Sequence, residues 1–167
     1  IYHSKNLLSR GAKNERRKSN KKKASNSNSF WTIKTDTGNQ YLTPEISSDL
    51  TDKVLKNDLS DYNFILFRNQ YKIDLYNMIQ VNLNTGKERK IYLPTILNWS
   101  VKTDTGFLNY DPLISIGLTN YKLSGKKKYD YTVRDKKIII DLVNLCQSNN
   151  QSSKIREVKL PSILKDI

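Results

Sequence analysis

The sequence predicts an α+β protein of two small domains, each a curled antiparallel sheet around one helix. Three observations lead there. FWTIKTDTG from Phe30 returns as NWSVKTDTG from Asn98, and TPEISSDL from Thr43 returns as DPLISIGL from Asp111, both at an offset of 68 residues. Such self-similarity marks one structural unit written twice. Each copy holds a single segment of helical period, and its other apolar residues alternate with polar ones as in half-buried strands. With 37% hydrophobic residues in 167, two modest cores are in reach and one large core is not.

The elements follow in order. Residues 1–28 form a basic, low-complexity tail: the first thirty residues carry nine Lys or Arg against the single acid Glu15, out of a net charge of +13. GAKNERRKSNKKKASNSNS has almost no apolar side chains and cannot fold alone. From residue 29 a Trp-led strand ends in Asp-Thr-Gly, where Gly supplies positive φ and Asp36 or Asp104 is expected to bond nearby backbone N–H groups. Thr43 and Asp111 are cap residues, each followed by Pro at the first helical position. The apolar stripes are Ile46, Leu50 and Val54, then Ile114, Leu118 and Tyr121. Two hairpins close each unit. NFILF and YKIDL join through Arg68-Asn69-Gln70, YDYTV and IIIDL through Arg134 to Lys137, and YNMIQVNLNTGKERKIYLP corresponds to VNLCQSNNQSSKIREVKLP at an offset of 67. The units span 29–94 and 98–161. The connection Thr95-Ile96-Leu97 is short and partly apolar, so the two are expected to pack together.

Several chemistries fall away at this point. Two Asp-Thr-Gly copies evoke an aspartyl dyad, but that site needs a buried apolar strand in a large bilobal β-fold, whereas Lys34 and Lys102 precede these turns in units of about 64 residues. One Cys and one His support no metal centre and no disulfide framework. Cys146 aligns with Ile79 and is expected to be a buried small hydrophobe, and His3 lies in the tail without a partner. Trp31 and Trp99 are expected to be core anchors, and Asp74 and Asp141 to satisfy local backbone. No catalytic residue and no cofactor is expected. No apolar run approaches the roughly 18 to 20 residues that cross a bilayer, so no membrane partner is expected. The first residue is Ile1, as in a fragment or processed form whose parent carries other domains.

One stretch resembles a known family. Trp31, a Gly-containing turn, Pro44-Glu45-Ile46-Ser47-Ser48 and YKIDLYNMIQVNLNTGKERKI from Tyr71 to Ile91 look like the WWE domain. The likeness repeats over the second unit, in a tandem arrangement that resembles Deltex-type ubiquitin ligases. WWE domains accompany ubiquitin ligases and ADP-ribosyl transferases. The resemblance implies recognition of ADP-ribose, poly(ADP-ribose) or an adenine nucleotide by a non-catalytic module whose parent carries the ligase or transferase.

It also implies a site. Tyr71 would stack or donate its hydroxyl, Gln80 would read a polar edge and Arg89 would pair with phosphate, while Tyr41 stands where the family often has Trp or Tyr. A two-residue turn at Asn84-Thr85 would set Gln80 directly opposite Arg89; a bulge at Gly86 would shift the register by one. In the second unit Gln147 and Arg156 match Gln80 and Arg89, but Ile138 replaces Tyr71. Losing an aromatic hydrogen bond and stacking costs about a hundredfold in affinity, so that site is degenerate.

The alternative is a scaffold subunit of a larger assembly, its two domains binding protein and its tail docking on nucleic acid or an acidic protein through residues 10–23. Nucleus or cytoplasm is the expected compartment, and the acid-poor tail leaves a mitochondrial leader open.

Overall fold

The computed structural model describes residues 27–165; the basic clusters at residues 10–23 lie outside them. Two units of the same build follow one another. The first contains β1 (Thr32–Thr35), β2 (Gly38–Tyr41), α1 (Pro44–Leu55), β3 (Tyr62–Leu66), β4 (Asn69–Asp74), β5 (Ile79–Asn82) and β6 (Glu88–Tyr92). The second contains β7 (Ser100–Thr103), β8 (Gly106–Asn109), α2 (Pro112–Leu123), β9 (Lys128–Val133), β10 (Lys136–Asp141), β11 (Cys146–Asn149) and β12 (Ser152–Lys159). The strand orders are β2-β1-β6-β5-β4-β3 and β8-β7-β12-β11-β10-β9, and every pairing is antiparallel. This is the α+β pair of small domains expected.

Each helix starts where a cap and a proline meet. Thr43 accepts a hydrogen bond from the Ile46 N–H at 3.3 Å, and Asp111 accepts one from Leu113 at 2.9 Å. Each helix ends in a left-handed residue, Asn57 or Gly125, where two backbone bonds wrap the last turn. The buried face of α1 is not purely apolar. Ser47 and Thr51 lie on it because the Trp31 indole N–H donates to Thr51 Oγ1 at 3.1 Å and the Trp31 backbone N–H donates to Ser47 Oγ at 3.2 Å. In the second unit the Trp99 indole donates to Thr119 Oγ1 at 2.9 Å. Both tryptophans are wholly buried, and their one polar atom is satisfied by the helix they pack on.

Helix α2 differs from the expected single stripe. Leu118 is buried in its own core, with Ile114 and Tyr121 half-buried beside it, yet Ile116 is buried in the core of the first unit with Trp31 and Leu50. A helix apolar on two sides has two partners to cover it. The Thr95–Leu97 connection is a short 3-10 turn with Leu97 buried, and the Asn120 side-chain amide donates to Asn57 Oδ1 at 2.7 Å across the junction. The units therefore pack together.

Other local expectations need correction. The first hairpin turns at Phe67-Arg68 and the second at Arg134-Asp135, all four residues at positive φ, so the residues after them already belong to strands. Asp36 and Asp104 do not bond backbone N–H groups; they pair with Lys87 at 2.8 Å and Lys154 at 2.6 Å, tying the first Asp-Thr-Gly turn to the residue just before β6 and the second to β12. Cys146 is half-buried, because the inward face of its strand is taken by the neighbouring Gln147, as Gln80 takes it beside Ile79. Asp74 and Asp141 do cap their own turns, accepting from Asn77 and from Val143 and Asn144.

Candidate functional site

The first sheet curls until its two edges face each other. Gln40 and Tyr41 from β2 at one end of the strand order and Phe64 and Leu66 from β3 at the other line one hollow of about 140 Å³, with Tyr71, Gln80 and Arg89 between them. A second hollow of about 120 Å³ adjoins it, lined by Tyr71, Gln80, Asn82, Lys87 and Arg89. All four expected ligand residues, Tyr41, Tyr71, Gln80 and Arg89, thus meet at one concavity.

Register explains the convergence. Tyr71 pairs with Asn82, Ile73 with Gln80, and Gln80 with Arg89, so the side chains of Tyr71, Gln80 and Arg89 share the concave face. The loop between β5 and β6 is longer than a two-residue turn. Asn82 bonds to Lys87 with Leu83 to Gly86 between them, and Gly86 holds the left-handed conformation at φ 71°, but this loop keeps Gln80 directly opposite Arg89. Tyr71 is held by Phe64, the rings 5.3 Å apart and within 16° of parallel. Tyr41 stands at the mouth, 62% exposed, its ring tilted against Phe30.

The polar groups of the hollow are poorly satisfied by the protein. Gln80 is only 6% exposed, and its side-chain amide makes no hydrogen bond within the described residues. Arg89 Nε is buried without a partner. Asp36 sits at the rim, 3.8 Å from the Arg89 guanidinium, and its bond to Lys87 holds its carboxyl below the usual carboxylate range. Buried donors are nearly always paired, so the unpaired Arg89 Nε beside an amide that opens into the hollow without a protein partner is what a surface completed by something else would show. The set offers an aromatic face, an amide that can donate or accept, and two cations. It can hold a planar ring and a neighbouring anion.

Residues 30–92 match the WWE domain family. The first unit is a WWE domain. No curated protein matches the chain. WWE domains are non-catalytic modules that bind ADP-ribose, its polymer or protein. The match covers the unit that holds the hollow and stops before the second. Among the described residues no three or more His, Cys, Asp or Glu side chains come together as a metal would need, and no helix is long and apolar enough to cross a membrane.

In the second unit Gln147 again pairs with Arg156, but the surroundings have changed. The register slips beyond Gln147, so that Asn149 pairs with Ser152. Arg156 donates to the Lys102 carbonyl at 3.2 Å, and Gln147 Oε1 accepts a 2.7 Å hydrogen bond from the Tyr110 hydroxyl. The amide and guanidinium that the WWE domain leaves open are engaged within the protein here.

Sequence reasoning missed Phe64, Lys87, Leu42 and Tyr110. Phe64 lies directly across from Tyr71 once the hairpin turn is placed at Phe67-Arg68, and Lys87 lies two residues before Arg89 on the same strand side. Tyr110 was visible as the counterpart of Leu42 at the repeat offset.

Proposed function

We propose that the WWE domain binds an ADP-ribose unit or an adenine nucleotide in the hollow between β2 and β3, and that the chain acts as a non-catalytic recognition module. One observation carries this reading: Gln80, a 6% exposed residue whose side-chain amide makes no hydrogen bond among the described residues, stands opposite Arg89, whose buried Nε has no partner. The base would lie against Tyr71 with its edge on Gln80, and a phosphate would lie on Arg89 and Lys87. The adjoining hollows, about 120 and 140 Å³, are smaller than the roughly 300–1,000 Å³ of pockets that enclose a drug-sized ligand. They fit one ring system and its first phosphate, with the rest of the ligand on the surface. The second unit, of the same architecture, is read as a degenerate WWE-like domain, which makes the arrangement a tandem.

The test is calorimetric titration with ADP-ribose, iso-ADP-ribose and ATP. The expected result is one site, with Gln80→Ala or Arg89→Ala losing at least about a hundredfold in affinity. Arg156→Ala leaves binding intact. Retention of full affinity by Arg89→Ala removes the reading.

A second reading, recognition of protein, is favoured by a larger hollow between the units. It is about 580 Å³, floored by Leu55, Leu59 and Ile116, with Lys56 and Lys126 and no carboxylate in its lining, a fit for an acidic segment with an apolar anchor. In that reading the basic tail adds polyanion affinity, which deletion of residues 1–28 abolishes and salt weakens steeply.

A further inference from the structure

The chain contains two versions of one site, and besides the exchange of Tyr71 for Ile138 they differ at the position of Leu42 and Tyr110. The Leu42 N–H donates to the Trp31 carbonyl at 2.8 Å, and the Tyr110 N–H donates to the Trp99 carbonyl at 2.9 Å, so the two residues occupy the same place in the fold. Leu42 is short and forms part of the wall of the open hollow. Tyr110 reaches inward instead. It is 8% exposed and packed in the second core beside Tyr131, and its hydroxyl reaches Gln147 Oε1 at 2.7 Å. Gln147 is the counterpart of Gln80, and Tyr131 is the counterpart of Phe64. An aromatic ring bearing a hydrogen-bond donor at its edge therefore already lies where the WWE domain offers its hollow.

We propose that Tyr110 is a built-in occupant of the second hollow, and that the residue at this position, Leu42 or Tyr110, decides which unit accepts a ligand. This rests on the reading of the first hollow as a ligand site. It goes beyond the exchange of Tyr71 for Ile138, because the amide that would read a ligand is already engaged. The internal occupant also shows what the shared frame accepts: a planar ring with a hydrogen-bond donor at the end that meets the glutamine amide.

Reciprocal substitutions test the proposal. Leu42→Tyr is expected to seat its phenol against Gln80 and lower affinity for ADP-ribose at least about a hundredfold, because the amide and the ring space are both lost to the ligand. The substituted tyrosine is then protected from ionisation near pH 10, where exposed tyrosines titrate, and ultraviolet absorbance reads this without any ligand. The pair Tyr110→Leu and Ile138→Tyr is expected to raise the stoichiometry for ADP-ribose from one to two. Tyr110→Phe keeps the ring and is expected to leave it at one while retaining the wild-type fold. Should the wild type bind none of the nucleotides, the ligand reading fails but the phenol titration of Leu42→Tyr still decides whether this position fills the hollow. A phenol at position 42 that titrates like an exposed one, unchanged affinity in Leu42→Tyr, or a stoichiometry that stays at one in the double variant overturns the proposal.

Discussion

Thr51 shows how a polar residue becomes part of a core. Its hydroxyl accepts from the Trp31 indole at 3.1 Å and donates to the Ser47 carbonyl at 2.9 Å, so one side chain satisfies the largest buried ring of the first unit. Thr51→Val keeps the shape and removes the acceptor. The expected cost is about 1–3 kcal/mol, the penalty of leaving a buried donor unpaired, read as a lower urea midpoint at unchanged slope. Tyr110 makes a prediction about pH. Burial first, and the neighbouring Tyr131 second, push its phenol above the ordinary value near 10. The folded state thus holds a proton that the unfolded state releases first. This stabilisation is complete below about pH 10 and declines as pH rises above it, toward the folded value. Tyr110→Phe should flatten the loss of stability above that pH in alkaline melting curves. A slope identical to wild type would show that the phenol contributes nothing to alkaline unfolding.

At the scale of elements, strands and helices were legible where a local rule governs them. Thr43-Pro44 and Asp111-Pro112 announced both helices, and the 67-residue offset aligned Gln147 and Arg156 with Gln80 and Arg89. The turns were not. Phe67 and Arg68 occupy left-handed conformations at φ 47° and 66°, which the usual Asn-Gly signal of a two-residue hairpin would have flagged and which a Phe-Arg pair hides. The roles of Asp36 and Asp104 were hidden for another reason, since their lysine partners lie 51 and 50 residues away in sequence. The convergence of Tyr41 with Tyr71 likewise depends on how far the sheet curls, which no alternation pattern specifies. The hairpin yields a prediction. Phe67 is 88% exposed, so its replacement sacrifices little packing, while left-handed backbone costs a non-glycine residue roughly 1–2 kcal/mol. Phe67→Asn with Arg68→Gly should therefore raise the urea midpoint, by an amount corresponding to about 1 kcal/mol. A lower midpoint would mean that the exposed ring makes contacts important for stability.

At the scale of the whole molecule, charge and packing divide the units differently. Residues 27–97 carry eight Lys or Arg and eight Asp or Glu, whereas residues 98–165 carry twelve and six, so the unit with the open hollow is neutral and its partner is basic. An anion at the hollow would meet only the local charges of Lys87 and Arg89, while any long-range field comes from elsewhere in the chain and is screened by salt. Packing joins what charge separates. Ile116 belongs by sequence to α2 yet is 2% exposed inside the core built on Trp31, Leu50 and Ile73, so the first unit is completed by a side chain from the second. Truncation to Ala removes buried methyl groups that the surrounding helices can only partly collapse to fill, at an expected cost of about 2–5 kcal/mol. Because the loss falls on a shared surface, both units should feel it. Trp31 and Trp99 are each wholly buried and report separately once the other is replaced by Phe. In Ile116→Ala the two single-tryptophan variants are expected to unfold at one common, lowered midpoint. If the Trp31 transition kept its original midpoint while that of Trp99 fell, the first unit would be independent of the second, and the packing of α2 against it would be a contact without energetic consequence.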